Sequence, residues 1–192
     1  MRKSTIAVAC LLALAGCIRS LHPLYTEGDL AFDPALVGVW EPTGQDEVWE
    51  FKKADDTSYT LIHTDNDGNK GVLDAHLLRL DGHLFLDLTA GKPMENMNNL
   101  YKTHLLPIHM FLKVHSIEPQ PKMSAMSPKW LADYLDENPD ALETEDVGQG
   151  PDVVTSSTSE LQEFVLEHVD TENAWGDPMV FERAKESPDG DE

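Results

Sequence analysis

The stretch DPALVGVWEPTGQDEVWEF, residues 33 to 51, decides how the chain is to be read. Leu36 to Glu41 is a short apolar run, and Pro42-Thr43-Gly44-Gln45 supplies turn formers. A second run then puts Trp49 and Phe51 on one face, with Glu50 and Lys52 on the other. Alternation with a period of two is the mark of a half-buried strand, so the stretch predicts two strands joined by a turn. The pattern continues outward. Tyr59, Leu61 and His63 follow the Asp55-Asp56 turn, and Val72 to Leu80 and His83 to Leu88 flank Asp81-Gly82, a two-residue hairpin signal. In the longest alternation Leu106, Ile108, Met110, Leu112 and Val114 lie on one side, and His109, Phe111, Lys113 and His115 on the other. Pro107 fits such a strand only if its start lies at an edge. These strands, with one longer excursion from Gly91 to Thr103, predict an antiparallel meander over residues 35–119.

The pattern changes after Pro119. Ser127-Pro128 offers an N-cap and an N1 proline, Trp130, Leu131, Tyr134 and Leu135 share a helical face, and Asn138-Pro139 stops the element, which predicts a helix over 128–138. Ser157-x-x-Glu160 is a capping box ahead of Leu161, Phe164, Val165, His168 and Val169, so a second helix is expected over about 158–169. Between them the acidic, glycine-bearing link allows a short strand at Val153-Val154. Pro178 to Arg183 is a candidate last strand. Residues 120–185 thus read as a helical segment packed on the β domain, and 186–192 as an acidic tail.

At the other end, Arg2 and Lys3 precede an apolar run from Ile6 to Ala15, too short for a finished transmembrane helix and suited to an export signal over residues 1–16. The run ends Leu14-Ala15-Gly16-Cys17, which resembles a bacterial lipobox. The resemblance implies cleavage before Cys17, acylation of that cysteine and attachment to a membrane through lipid. Residue 18 is Ile and not the Asp that marks retention at the inner membrane, which favours the outer membrane. Cys10 leaves with the signal, so no disulfide is expected in the mature chain. Residues 17–34, rich in turn formers, read as a lipid-anchored tether.

The 192 residues carry 14 basic and 35 acidic side chains, a formal net charge of -21. Loss of Arg2 and Lys3 with the signal makes the mature chain about -23. Such a surface repels nucleic acid and anionic headgroups, so no nucleic-acid partner is expected and attachment must come from the lipid.

The chemical motifs are incomplete. HTDNDGNKG, residues 63 to 71, alternates Asp65, Asp67 and Asn69, but no register puts an acid first and glycine sixth as an EF-hand loop requires; a turn around Asp67-Gly68 explains it. His109 and His115 share a strand face about 20 Å apart, too far for one metal unless His76 or His83 contributes from a neighbouring strand. No serine lies in a Gly-x-Ser-x-Gly context, and Gly148-Gln149-Gly150 has no lysine and no flanking strand and helix for a phosphate loop. No catalytic residue, metal or cofactor is therefore assigned.

Gly38-Val39-Trp40 at the head of a six-strand meander resembles the lipocalin and wider calycin pattern, in which the tryptophan closes the base of the barrel. Arg183 falls late enough to serve as that pattern's closing arginine. The mature chain also resembles uncharacterised bacterial lipoproteins that begin like SLHPLYTE followed by LVGVW. These resemblances imply a mainly β fold with some helix: a calycin-like antiparallel barrel or half-barrel plus two C-terminal helices. They leave two functions open. One is non-catalytic binding of a hydrophobic or amphipathic molecule by Trp49, Phe51, Phe85 and Phe111; the other is docking of an envelope protein partner. The helix at Leu161, Phe164 and Val165 is expected to cover the Leu106–Val114 face.

Overall fold

The structure, a computed structural model, describes residues 18–91, 98–148 and 152–184; the segment read as an export signal, Cys17 and the segment read as an acidic tail lie outside the described residues. In chain order the strands are β1 (Arg19–Ser20), β2 (Leu30–Ala31), β3 (Gly38–Pro42), β4 (Val48–Lys53), β5 (Tyr59–Thr64), β6 (Lys70–Leu80), β7 (His83–Ala90), β8 (His109–Ser116), β9 (Lys122–Ala125), β10 (Thr144–Glu145), β11 (Val153–Val154) and β12 (Met179–Arg183). The helices are α1 (Asn99–Lys102), α2 (Pro128–Glu137) and α3 (Thr158–Glu167).

Strands β3 to β8 run as an antiparallel meander, β9 pairs with β8, and β12 pairs with both β9 and β3. Eight strands therefore close into an antiparallel, calycin-like barrel. The opening stretch forms β3 and β4 with Trp40 opposite Trp49. Asp81 and Gly82 both have positive φ, as a two-residue hairpin demands, and Leu80 pairs with His83 across them. Two barrel strands, β9 and β12, come from residues 120–185, so that segment is not purely helical. The four residues of β9 are too few to show an alternation.

The barrel wall separates two apolar cores. Inside it pack Trp40, Trp49, Phe51, Tyr59, Leu61, Leu77, Leu86, Leu112, Met123 and Phe181. Outside it, Leu78, Leu80, Phe85 and Phe111 meet Leu161, Phe164 and Val165 of α3. Here the expected packing is corrected. β8 begins at His109, while Leu106 is 68% exposed before Pro107. Met110, Leu112 and Val114 face the lumen, and α3 covers the opposite face, around Phe111. Both faces of β8 are in fact covered. Its polar outward residues are paired: His109 with Asp87, and Lys113 Nζ with the carbonyl of Val169, just past the end of α3, where the helix dipole favours a cation. Ser127 and Ser157 cap α2 and α3 as their sequences require.

Residues 18–34 are not a free tether. Ile18 and Leu24 are buried in the outer core, β1 lies between β8 and β11, and Leu30 pairs with Leu78 of β6. The partners of this arm lie far along the chain, which is why its composition alone reads as a linker.

Candidate functional site

The four aromatic residues expected to line a ligand site do not come together. Trp49 and Phe51 lie in the lumen, each 2% exposed, whereas Phe85 and Phe111 lie on the outer wall beneath α3. In the lumen Trp49 packs edge-on to Phe181 at 5.3 Å, and Phe51 edge-on to Tyr59 at 6.2 Å. The polar tips of this core are satisfied by the chain itself. Tyr59 Oη accepts from the Asp33 amide at 2.6 Å and donates to the Asp33 carbonyl at 3.0 Å, and Trp40 Nε1 donates to the Leu36 carbonyl at 2.8 Å. The middle of the barrel is thus occupied by its own side chains, as in other small barrels.

At the base of the barrel Arg183 pairs across the sheet with Trp40 and sets its guanidinium over the indole, 4.4 Å from the ring centroid. Gly38 makes this possible, because a Cβ there would collide with Arg183 Nη1. Arg183, on the last strand of the barrel, thus packs over Trp40 at its base. Beside it lies a pocket of about 280 Å³, edged by Ile117, Glu118, Pro119 and Gln120. A second pocket, about 260 Å³, lies outside the barrel, where Leu142 and Phe164 form an apolar floor among Asp140, Glu143, Glu160, Glu163 and Glu167.

A group of titratable side chains sits on the outer wall under the N-terminal arm. Asp87 is fully buried; its Oδ2 accepts from the Leu24 amide at 2.9 Å, and its Oδ1 meets His109 Nδ1 at 2.7 Å. Tyr25 stacks on His76 at 4.6 Å and stands edge-on to His109 at 6.5 Å. The condition that His76 should join His109 from a neighbouring strand is met in part. Even so, among the described residues no group of three His, Cys, Asp or Glu side chains is arranged to hold a metal ion. Sequence reasoning named His76 and His109 but missed Asp87 and Tyr25; the visible signal for Asp87 was its place as a lone acid in the apolar run of β7.

Burial pushes His76 below its ordinary pKa, against the opposing pull of Asp87, Asp74 and Asp55 and with a smaller contribution from His109. A histidine that binds its proton less readily in the fold than in the unfolded chain contributes stability that is intact above the ordinary histidine range and is lost as pH falls through about 6.5. The melting temperature should therefore drop between about pH 7.5 and pH 5.5. His76→Phe should reduce that drop, as scanning calorimetry of both proteins would show.

A serine–histidine pair also forms across β8 and β9, His115 Nε2 to Ser124 Oγ at 2.9 Å. Burial, then Lys113 and Lys122, lower the pKa of His115. Among the described residues no carboxylate orients this ring, and Ser124 is only 1% exposed, which denies the pair the access that an activated nucleophile needs. In the Asp65 turn the carboxylate accepts the amides of Asp67 and Asn69 at 3.0 and 2.8 Å, which closes the loop on itself. No family model, curated protein or solved structure matches this chain.

Proposed function

We propose that this protein is a non-catalytic lipoprotein of the bacterial envelope, anchored through Cys17, with outer-membrane placement favoured by Ile18, and that its barrel is a rigid platform for docking another envelope protein. The observation that carries this reading is the filled lumen. A hydrophobic ligand would have to displace Trp49, Phe51, Tyr59 and Phe181, all no more than 2% exposed. The strongly acidic exterior, including the pocket beside α3, suits a basic partner surface, since complementary charge speeds and selects protein encounters.

The test is native mass spectrometry of the protein extracted from envelopes in mild detergent. The expected mass is the polypeptide from Cys17 plus its acyl groups. A further small molecule of defined mass, retained in stoichiometric amount, would restore the carrier reading. Cys17→Ser should abolish the acyl mass and, where export persists, release the protein from membranes.

A further inference from the structure

Six large apolar side chains stand exposed among the described residues, and four of them, Leu100, Tyr101, Leu105 and Leu106, fall between residues 100 and 106. They belong to neither core. Asn98 caps the short turn of helix here by accepting from the Leu100 amide at 2.8 Å, and the winding continues through the Leu105 amide, which donates to the Lys102 carbonyl at 3.2 Å. The apolar side chains are thus displayed on a wound segment between β7 and β8. In a chain with 35 acidic residues, none occurs from Asn98 to Ile117, and Lys102 and His104 lie inside the patch.

We propose that residues 100–106 dip into the polar–apolar interface of a phospholipid bilayer beside the lipid anchor, an inference that rests on acylation of Cys17 for its orientation but not for its chemistry. Three observations favour a bilayer over other occupants. Apolar side chains with an aromatic ring and a lysine are what an interfacial segment uses. The patch is free of the acidic charge that keeps the rest of the molecule away from headgroups. The anchor also leaves no slack: Ile18, the residue after Cys17, is 4% exposed, so an acylated Cys17 holds the wall itself against the membrane. Ser20 pairs with His109, three residues beyond Leu106. Because β1 runs antiparallel to β8, the chain from Ser20 back to Ile18 lies alongside Met110 and Phe111, whereas Leu106 lies beyond the start of β8. At ~3.3 Å per residue Ile18 and Leu106 are roughly 20 Å apart along the wall, so one membrane plane meets both along the side of the barrel. The other turns at this end of the barrel carry Asp46, Glu47, Asp65 and Asp67, so the molecule must tilt to lead with the 100–106 side.

The test uses residues 18–192, which contain every residue of both cores and no cysteine, so that Leu105→Cys is a unique site for an environment-sensitive fluorophore. Lys129→Cys on the exposed side of α2 is the control. Vesicles of phosphatidylethanolamine and phosphatidylglycerol should shift the emission at position 105 to the blue, saturably with lipid, and leave position 129 unchanged. Adding Leu100→Ser and Leu106→Ser should weaken the partition roughly tenfold or more with unchanged circular dichroism. Emission at 105 that stays water-like at saturating lipid would overturn the proposal. So would a shift that follows protein concentration without vesicles together with a dimer in sedimentation, since a second copy would then be the occupant. Loss of the anchor reading is seen separately, as the missing acyl mass, and leaves the vesicle result standing.

Discussion

Trp49→Ala should lower the melting temperature by roughly 10 °C, corresponding to a loss of about 3–5 kcal/mol from lost burial and a cavity inside the barrel. Trp49 is 2% exposed and packs on Phe51, Phe181 and the ring of His63, so its neighbours belong to rigid strands that cannot collapse into the vacated space. The cavity should then accept what was removed. Apolar cavities of this kind take up small aromatic molecules, and binding to the folded state alone raises stability by mass action. Indole at millimolar concentration should therefore recover part of the lost melting temperature in Trp49→Ala and have no effect on the unaltered protein. Equal stabilisation of both would show that the lumen already has room.

Asp87→Ala should cost about 3–5 kcal/mol, as expected when one partner of a buried pair is removed. The loss has two parts. The Leu24 amide and His109 Nδ1 each lose their acceptor in a place water does not reach, and the arm over residues 18–25 loses its central attachment to the wall. Asp87→Asn should be milder, because the amide oxygen can still accept from Leu24. Hydrogen exchange distinguishes local from global damage: the Leu24 amide should lose protection in Asp87→Ala and keep most of it in Asp87→Asn, and β4 amides should change only in proportion to overall stability. Unchanged protection at Leu24 in Asp87→Ala would contradict the assigned role.

Much of the barrel was legible in the chain because period-two alternation and turn chemistry act locally. Asp81-Gly82 forces its hairpin, and Trp49 and Phe51 share a face whatever surrounds them. Three features were not legible, for physical reasons. Alternation assigns residues to two faces but does not say which face is inside, and on β8 both are apolar enough to bury; the outward course of Phe111 is decided by α3. Closure depends on β9 and β12, one too short to carry a pattern and both paired across long stretches of chain. The arm over residues 18–25 is held by Asp87, more than sixty positions away, and nothing in IRSLHPLY anticipates that contact. The same limit explains the candidate site. Residue type identified aromatic side chains, but only the closed wall shows that Trp49 and Phe51 are separated from Phe85 and Phe111.

The filled lumen is tested most directly by the indole N–H resonance of Trp49, followed by NMR while the ¹⁵N-labelled protein is titrated with a monomeric fatty acid below its critical micelle concentration. A ligand in the barrel cannot avoid this group, whereas one on the 100–106 patch lies outside the wall. The account predicts no saturable change at Trp49, even if resonances from residues 100–106 move. A saturable shift of the Trp49 resonance, reversed by a competing lipid, would contradict it and make the barrel a carrier.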